Sequence, residues 1–535
     1  MTLYHYFSSI PLPFVSLLLP FCAAFAIFAA RLYHKIIKVK TGEAKTINKK
    51  MLRMYFLLVF IINVALTLII WFNFKAQGST FYVLSSTGWT ETMSQDNMYM
   101  IKALMQVDAI GALSAVIMGF VALCAALRAL TDKFYPLSPT KAGFFILTLC
   151  GIQGIFYSNG LFPLFLFILL GQVGASGLYI GVPGNTMDVR RSIWYYISRV
   201  IVLAMFFAGA LSLFLKYKTD NIAILSTILS DGTFEKTVFI LLVVPLFFLF
   251  TKPASYVRDS ACRCFFVIRA QAAFFVVFRI IFSLFGPMSG LEKIPSLFVT
   301  FGVIGLFASL LNSFRDREPY TFVSSIELFL KALMVMALGI SLNGMYSAET
   351  MAMYGFGAVE SMISLWIMYL PLSAVFSIIC ARLREDCSVC GMELWKVGGL
   401  FNYMPLTGVS FMTALCVMSG LPPFAGFAAR QFLYRSSYYM SPALMIVIVM
   451  LSIAVMLRGV YYAGWVLFVR RGSMTDYSSC SERSLVLPMA VLFLLLIFTT
   501  SAPGFFFENC ISPSVESLMN RGNNLNIINR GGVLK

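Results

Sequence analysis

The chain has 535 residues, 59% of them hydrophobic and only 12% charged, about half the charged fraction of an ordinary soluble protein. A soluble globular fold is excluded, and at roughly 35–40 residues per bilayer span with its connection the length has room for about 14 spans. The 40 basic and 23 acidic residues give a net charge of +17, which reads as basic cytoplasmic loops and not as a nucleic-acid surface, because no face interleaves Lys and Arg with aromatic residues.

Apolar runs between charges and Gly/Pro breaks predict helices near 12–33, 54–75, 107–130, 142–158, 161–182, 193–215 and 236–251. Seven more follow near 265–285, 296–313, 322–343, 357–381, 406–428, 441–468 and 485–502. Met1 to Ser9 carry no Lys or Arg, so the first run lacks the basic start of a signal peptide and is expected to stay as a helix. The loop after it holds Arg31, Lys35, Lys38, Lys40, Lys45, Lys49, Lys50 and Arg53 and is therefore assigned to the cytoplasm. The same side receives Arg128, Arg190, Arg191, Arg315, Arg382 and Arg470, whereas the alternate loops at Ser158–Gly160 and Asn343–Tyr354 hold no Lys or Arg. Both termini then lie outside the cytoplasm. The expectation is an all-α polytopic membrane protein of about 14 transmembrane helices in three parts. Residues 1–104 hold the first two helices with their loops, 105–470 the core of helices three to thirteen, and 471–535 the last helix and a polar tail.

Two cations interrupt apolar helices, where a charge must face protein or water. Arg430 follows Ser419-Gly-Leu-Pro-Pro-Phe-Ala-Gly-Phe427. There Pro422 and Pro423 remove two backbone donors and Gly420 and Gly426 allow close approach, the pattern of a discontinuous helix. Such breaks mark ion pathways in many transporters. The other reading of Arg430 is a cap on a helix end that snorkels to the interface with Arg435. Arg279 stands in Phe274-Phe-Val-Val-Phe-Arg-Ile-Ile-Phe282, with no nearby end to snorkel to, and is expected to face inward. Pro245 suggests a second kinked helix, with Lys252 just beyond it.

Cys387-Ser-Val-Cys390 has no second pair or histidine near it in sequence, so no metal is expected. Glu349 reads as a loop charge, and Glu360, near the start of a span, stands between a loop charge and a partner for a buried cation. There is no Gly-rich phosphate loop in strand–helix context; no cofactor and no redox site are expected on this chain.

Gly399-Leu400, Met404-Pro405-Leu406-Thr407 and Gly420-Leu-Pro-Pro-Phe-Ala-Gly-Phe427 resemble the twelfth-helix signature of the antiporter-like membrane subunits shared by respiratory complex I and the Mrp-type multisubunit cation/proton antiporters. Val107-Asp108 with Ala112-Leu113-Ser114, Gly151-Ile-Gln-Gly154 with Ser158-Asn159-Gly160, and Asp316 followed by Ser324-Ser325-Ile326 are similar to further motifs of that family, in order, over about residues 105–470. The resemblance implies inverted five-helix repeats, broken helices 7 and 12, and a membrane subunit of a proton- or cation-translocating complex, at most a translocase subunit of NADH:quinone oxidoreductase. Implied partners are other membrane subunits, the lipid bilayer, and protons or monovalent cations, with no nucleic acid; the implied location is a bacterial inner membrane or an equivalent energy-coupling membrane.

The ionisable positions of the family are where this sequence departs. The fifth-helix glutamate falls on Leu169, with Gln172 the nearest polar side chain; the seventh-helix lysine falls on Phe247 or Lys252 according to the loop alignment. The eighth-helix lysine falls on Phe278, beside Arg279. The histidine after Ser-Ser-Ile falls on Leu328, flanked by Glu327 and Lys331, and the twelfth-helix charge is Arg430. The candidate ion-path residues are thus Lys252, Arg279, Glu327, Lys331, Arg430 and Gln172, with Pro245, Gly420, Pro422, Pro423 and Gly426 at the helix breaks. A guanidinium stays protonated above about pH 12, so two rivals to a conducting subunit stay open: a divergent structural subunit that does not conduct, and an unrelated polytopic transporter.

Overall fold

The computed structural model of the chain describes residues 12–41, 48–77, 80–84, 103–132, 136–180, 186–230, 236–251, 259–286, 292–316, 319–386, 401, 405–422, 424–468, 489–490, 504 and 507–519. Among these, eleven helices are long and apolar enough to cross a membrane, joined by two shorter apolar helices at Lys236–Phe250 and Pro405–Ser419. The chain is a helical, multi-pass integral membrane protein. The expected last helix at 485–502 lies almost wholly outside the described residues, as do Lys252, Cys387, Cys390 and Pro423.

By internal contacts the chain forms two compact units. The first runs to Val257 and takes in Phe265–Phe285 and the residues from Glu516. It contains α1 (Leu12–Thr41), α2 (Lys49–Gln77), α3 (Ala109–Thr131), α4 (Pro139–Tyr157), α5 (Leu161–Ile180), α6 (Thr186–Tyr217), α7 (Ile222–Ser230), α8 (Lys236–Thr251) and most of α9 (Ser260–Phe278). Between α2 and α3 the chain makes a small antiparallel ribbon, β1 (Thr80–Leu84) on β2 (Ala103–Val107), with Thr80 opposite Val107 and Leu84 opposite Ala103. Thr-Phe-Tyr-Val-Leu is rich in the β-branched and aromatic residues that suit a strand, although the hydropathy pattern assigns this stretch only to an extracytoplasmic loop.

The ribbon leads directly into Asp108, whose side chain accepts from Gly111 N and caps α3. Ser138 caps α4 in the same way, with Pro139 in the first turn; both are favoured N-terminal arrangements. The start of α5 is held from a distance. Leu161 N donates to Asp220 O at 3.0 Å, Ile222 N donates to Asn159 O at 3.1 Å, and the Asp220 carboxylate accepts from the Phe162 amide.

Pro245 does not break α8, contrary to the sequence expectation: the helix runs on through it to Thr251. Proline there removes one N–H to carbonyl bond, a loss that membrane helices tolerate where a neighbour packs closely. That neighbour is α6, where a Cβ at Gly209 would stand 3.0 Å from Leu241 Cβ. What the sequence did not predict is the end of the eighth predicted span, where α9 passes into a π-helical turn over Arg279–Phe285.

The second unit comprises Arg258–Cys264 and Gly286–Val515. It contains α10 (Ile294–Arg315), α11 (Pro319–Gly344), α12 (Phe356–Asp386, entered through a π turn at Met351–Gly355), α13 (Pro405–Ser419), α14 (Ala425–Met440) and α15 (Pro442–Phe468). A second π turn at Phe507–Ile511 leads into the short α16 (Ser512–Met519), of which residues 512–515 belong to this unit. At the centre is α12, with Trp366, Ile363, Met362 and Ile378 fully buried. Two of its serines are satisfied locally, Ser364 Oγ donating to Glu360 O and Ser373 Oγ to Leu370 O, so they enter an apolar core at little cost, whereas the buried Ser361 Oγ has no hydrogen-bond partner among the described residues.

Candidate functional site

In the second unit the predicted twelfth span is two helices, α13 and α14, and the break between them follows from the residues. An α-helix ends with four carbonyls that lack intrahelical donors; in α13 these belong to Cys416, Val417, Met418 and Ser419. Gly420 takes φ +76°, the left-handed conformation in which glycine carries no Cβ penalty. The chain turns back so that Leu421 N donates to Cys416 O at 3.0 Å and Gly420 N to Val417 O at 3.1 Å. This is the paired hydrogen-bond pattern with which glycine commonly closes a helix. Pro422 follows and is exposed, and a proline there cannot continue the helix.

The remaining two carbonyls are taken by Arg430, one turn into α14. Its Nη1 donates to Ser419 O at 2.6 Å and its Nη2 to Met418 O. The side chain is 1% exposed, lies 5.4 Å from the Phe329 ring centroid and has Tyr434 as a further polar neighbour. Every terminal carbonyl of α13 thus has a donor, and a cation stands at the negative end of the helix, where it is favoured. Glycine is required twice here. A Cβ at Gly420 would come 2.6 Å from Arg430 Nη1, and one at Gly426 would come 2.2 Å from Val417 O. Of the two readings of Arg430, capping is the one realised, but it caps the preceding half-helix from the inside. Arg435 alone is exposed.

On α11, Glu327 and Lys331 are one turn apart and on one face. Lys331 is buried, its Nζ 5.6 Å from the Tyr369 ring centroid. Glu327, half-buried, has Lys331, the Tyr369 hydroxyl and Arg263 as its polar neighbours. An acid, an amine, a phenol and a guanidinium thus share one neighbourhood, and three of the four titrate. Sequence reading found the first two; Tyr369 and Arg263 come from α12 and α9 and carried no local signal. Glu360, half-buried, accepts from Ser512 Oγ at 3.4 Å and Glu349 is exposed.

In the first unit Arg279 is 2% exposed. Its Nη2 meets Asp108 Oδ2 at 3.1 Å and its Nη1 donates to Phe156 O at 3.2 Å, with the Phe275 ring 5.5 Å away. Asp108 divides its two oxygens between capping α3 and pairing with Arg279. Phe278, where the resemblance expects a lysine, is fully buried against Phe274 and Phe275. Gln172 is 1% exposed, and neither its Nε2 nor its Oε1 has a hydrogen-bond partner among the described residues.

Two further buried cations escaped the sequence reading although both interrupt apolar runs. Arg199 on α6 donates from Nη1 to Phe248 O at 2.9 Å, in the last turn of α8. Arg269 on α9 donates from Nη2 to the Tyr195 hydroxyl at 2.5 Å. A charged side chain with more than a turn of uncharged sequence on each side is the signal that would have found them.

No protein-family model matches the chain. A Na+/H+ antiporter subunit of Alkalihalophilus pseudofirmus is 24% identical over 379 residues, 66% of this chain and 70% of that one. A chain of the Mrp complex from Dietzia sp. superposes with a TM-score of 0.70 at 15% identity, over 95% of this chain and 99% of that chain. A chain of respiratory complex I from Thermus thermophilus does so with a TM-score of 0.69 at 14% identity, over 95% and 99%.

Proposed function

We propose, from a chain that is a divergent antiporter-like membrane subunit of the Mrp and complex I kind, that it works inside a multisubunit assembly translocating protons or monovalent cations, as an Mrp-type Na+/H+ antiporter or an NADH:quinone oxidoreductase does. Its partners are other membrane subunits and the surrounding lipid. It has fourteen spans with inverted five-helix repeats, residues 105–470 as the working core, both termini outside the cytoplasm, and a place in a bacterial inner membrane. The observation that carries this reading is the broken helix at Gly420, closed by Arg430, because an interrupted helix within the membrane is tolerated only where its ends are satisfied by protein or line a cavity. Glu327 and Lys331 are the groups assigned to proton or cation movement in the second unit, and Arg279 and Arg430 are fixed charges that shape the field around the path.

The test is purification of the tagged chain in mild detergent, identification of its partners, and ion flux in vesicles carrying that assembly. Co-purification with Mrp-type or NADH-oxidising membrane subunits, and flux that falls in Glu327→Gln and Lys331→Met, is expected. A chain that purifies alone overturns the reading.

A specific observation favours a second reading, a structural subunit that does not conduct. Both arginines at candidate path positions are held by fixed partners, and a guanidinium does not release a proton in each cycle. Under this reading the assembly forms, and neither Glu327→Gln nor Lys331→Met changes its flux.

A further inference from the structure

Among the described residues one residue other than glycine has a left-handed backbone: Lys218, at φ +59°, a conformation that a Cβ disfavours. It opens the turn in which residues 219–221 lie against residues 158–160, clasped by two backbone bonds, Leu161 N to Asp220 O and Ile222 N to Asn159 O. The clasp fastens the start of α5, and backbone strain of this kind persists only where the surrounding structure imposes it. What the clasp buries is ill-suited to an interior. Asp220 is 1% exposed and Asn159 2%, and neither Asp220 Oδ2 nor Asn159 Nδ2 has a hydrogen-bond partner among the described residues. The titratable groups on the neighbouring elements are Tyr157, Lys216, Tyr217 and Lys218, with Asp108 and Arg279 paired to each other beyond Phe156; α7 and the first turns of α5 carry none. Among the described residues none of these stands within ion-pair or hydrogen-bond distance of the Asp220 carboxylate, and both lysines are exposed.

An ionised carboxylate held in this way has no countercharge, and burying it is costly. On its Gly160 side the oxygen leaves no room for a metal ion. A single Cβ at Gly160 would stand 2.7 Å from Asp220 Oδ2 and 3.0 Å from Pro163 Cδ, whereas an ion takes several oxygen ligands. A proton needs no such space. We propose that Asp220 is a proton-binding latch: protonated, it stays buried and the clasp over the start of α5 stays shut, and ionised, it is driven into water and the clasp opens. Opening lets the Lys218 backbone relax and hydrates Asn159 Nδ2, and it gives up two backbone bonds that water replaces. Burial pushes the Asp220 carboxyl up to about 6, above its ordinary range of about 4. The shut form therefore holds the proton more tightly than the open one, and by linkage proton binding favours shutting. The inference holds whether or not the assembly conducts.

The experiment is hydrogen exchange with mass-spectrometric readout on the complex that purifies with the full-length chain, for wild type and Asp220→Asn, between about pH 5 and pH 7. It follows the peptides that carry the Leu161 and Ile222 amides, with rates corrected for the pH dependence of chemical exchange. Opening of the wild-type clasp is expected to rise about tenfold over that range, as one proton on a carboxyl at about 6 when shut and about 4 when open requires. Asp220→Asn, uncharged and of the same shape, should stay as shut throughout as wild type is at the acid end. A wild-type profile flat in pH overturns the latch, as does a rise that Asp220→Asn retains. So does an Asp220→Asn clasp that is as open at the acid end as wild type is at neutral pH, because the ionised carboxylate would then be the fastener. Should Asp220→Asn not fold, the wild-type profile decides, since the other groups around the clasp have ordinary titration ranges well outside this window.

Discussion

Arg279 in the first unit and Arg430 in the second are the same residue type at nearly the same burial, 2% and 1% exposed, yet they are neutralised by different means. Arg279 is paired with a full negative charge on Asp108, 171 residues away in sequence. Arg430 is paired with no acid among the described residues; it rests on the two carbonyls that α13 leaves open, partial charges summing to about half an electron at a helix end. The difference teaches that a buried cation in this chain serves whichever part of the backbone is short of a partner. At Arg279 the carboxylate it joins also caps α3, so ion pair and helix start depend on one another. At Arg430 the cation is itself the cap, so removing it uncovers the backbone and leaves no charge stranded.

That contrast orders the expected outcomes. The largest effect is expected from Asp108→Ala, which strands the Arg279 charge and uncaps α3; breaking a buried pair from one side costs about 3–5 kcal/mol. Thermal unfolding of the purified assembly should show it, and pairing Asp108→Asn with Arg279→Met should recover most of the loss. Without that recovery, the pair is not the reason for the cost. Next comes Arg430→Met, which leaves two carbonyls without donors but no orphan charge, at about 2–3 kcal/mol. Arg430→Lys should lose less, since an ammonium can reach a carbonyl but lacks the planar fork. If Arg430→Met costs as much as Asp108→Ala, the distinction between the two sites collapses.

Gly420→Ala should cost about 1–2 kcal/mol through its left-handed backbone alone, and its Cβ would also push against the guanidinium. A melting point unchanged by that substitution would mean that the turn at 420 is not fixed as described. The smallest effect sharpens the comparison from the acid side. Asp220, outside the spans, has no cation, one of its oxygens has no hydrogen-bond partner among the described residues, and burial pushes its carboxyl up to about 6. The folded chain therefore holds this proton more tightly than the unfolded one. Its contribution to stability is fully present below the ordinary carboxylate range near pH 4 and is lost as pH rises through about 6. Asp220→Asn should flatten the dependence of unfolding temperature on pH between about 4 and 6; an unchanged slope would assign that dependence to another group.

The sequence made some of this visible and hid the rest for identifiable reasons. The break at 420–424 was legible because Gly, Pro and Pro each act on the backbone locally, through φ and through missing donors. Glu327 and Lys331 were legible because they flank Leu328, the position at which the resemblance places a histidine. The partner of Arg279 was hidden, since nothing in the apolar run around 279 points to a capping aspartate on another helix. Asp108 read as a motif residue and as nothing more. Pro245 misled, because whether a proline breaks a helix depends on how the helix around it is packed, and α6 packs closely on α8 a turn earlier, where Gly209 meets Leu241 and Leu242. Tyr369 and Arg263 reach Glu327 from other helices, a meeting only the tertiary fold determines.

The π turn at Arg279–Phe285 bears on how positions in this chain are matched with those of other proteins. A π turn takes up one residue more than the α turn it replaces, and one α-helical residue is about 100° of rotation. Across the turn, positions towards Phe285 therefore drift by up to about 100° from where an uninterrupted α-helix would aim them. A correspondence that assumes an α-helix through this segment therefore loses register towards Phe285, and an alignment gap, if one is needed in the eighth span, belongs between 279 and 285.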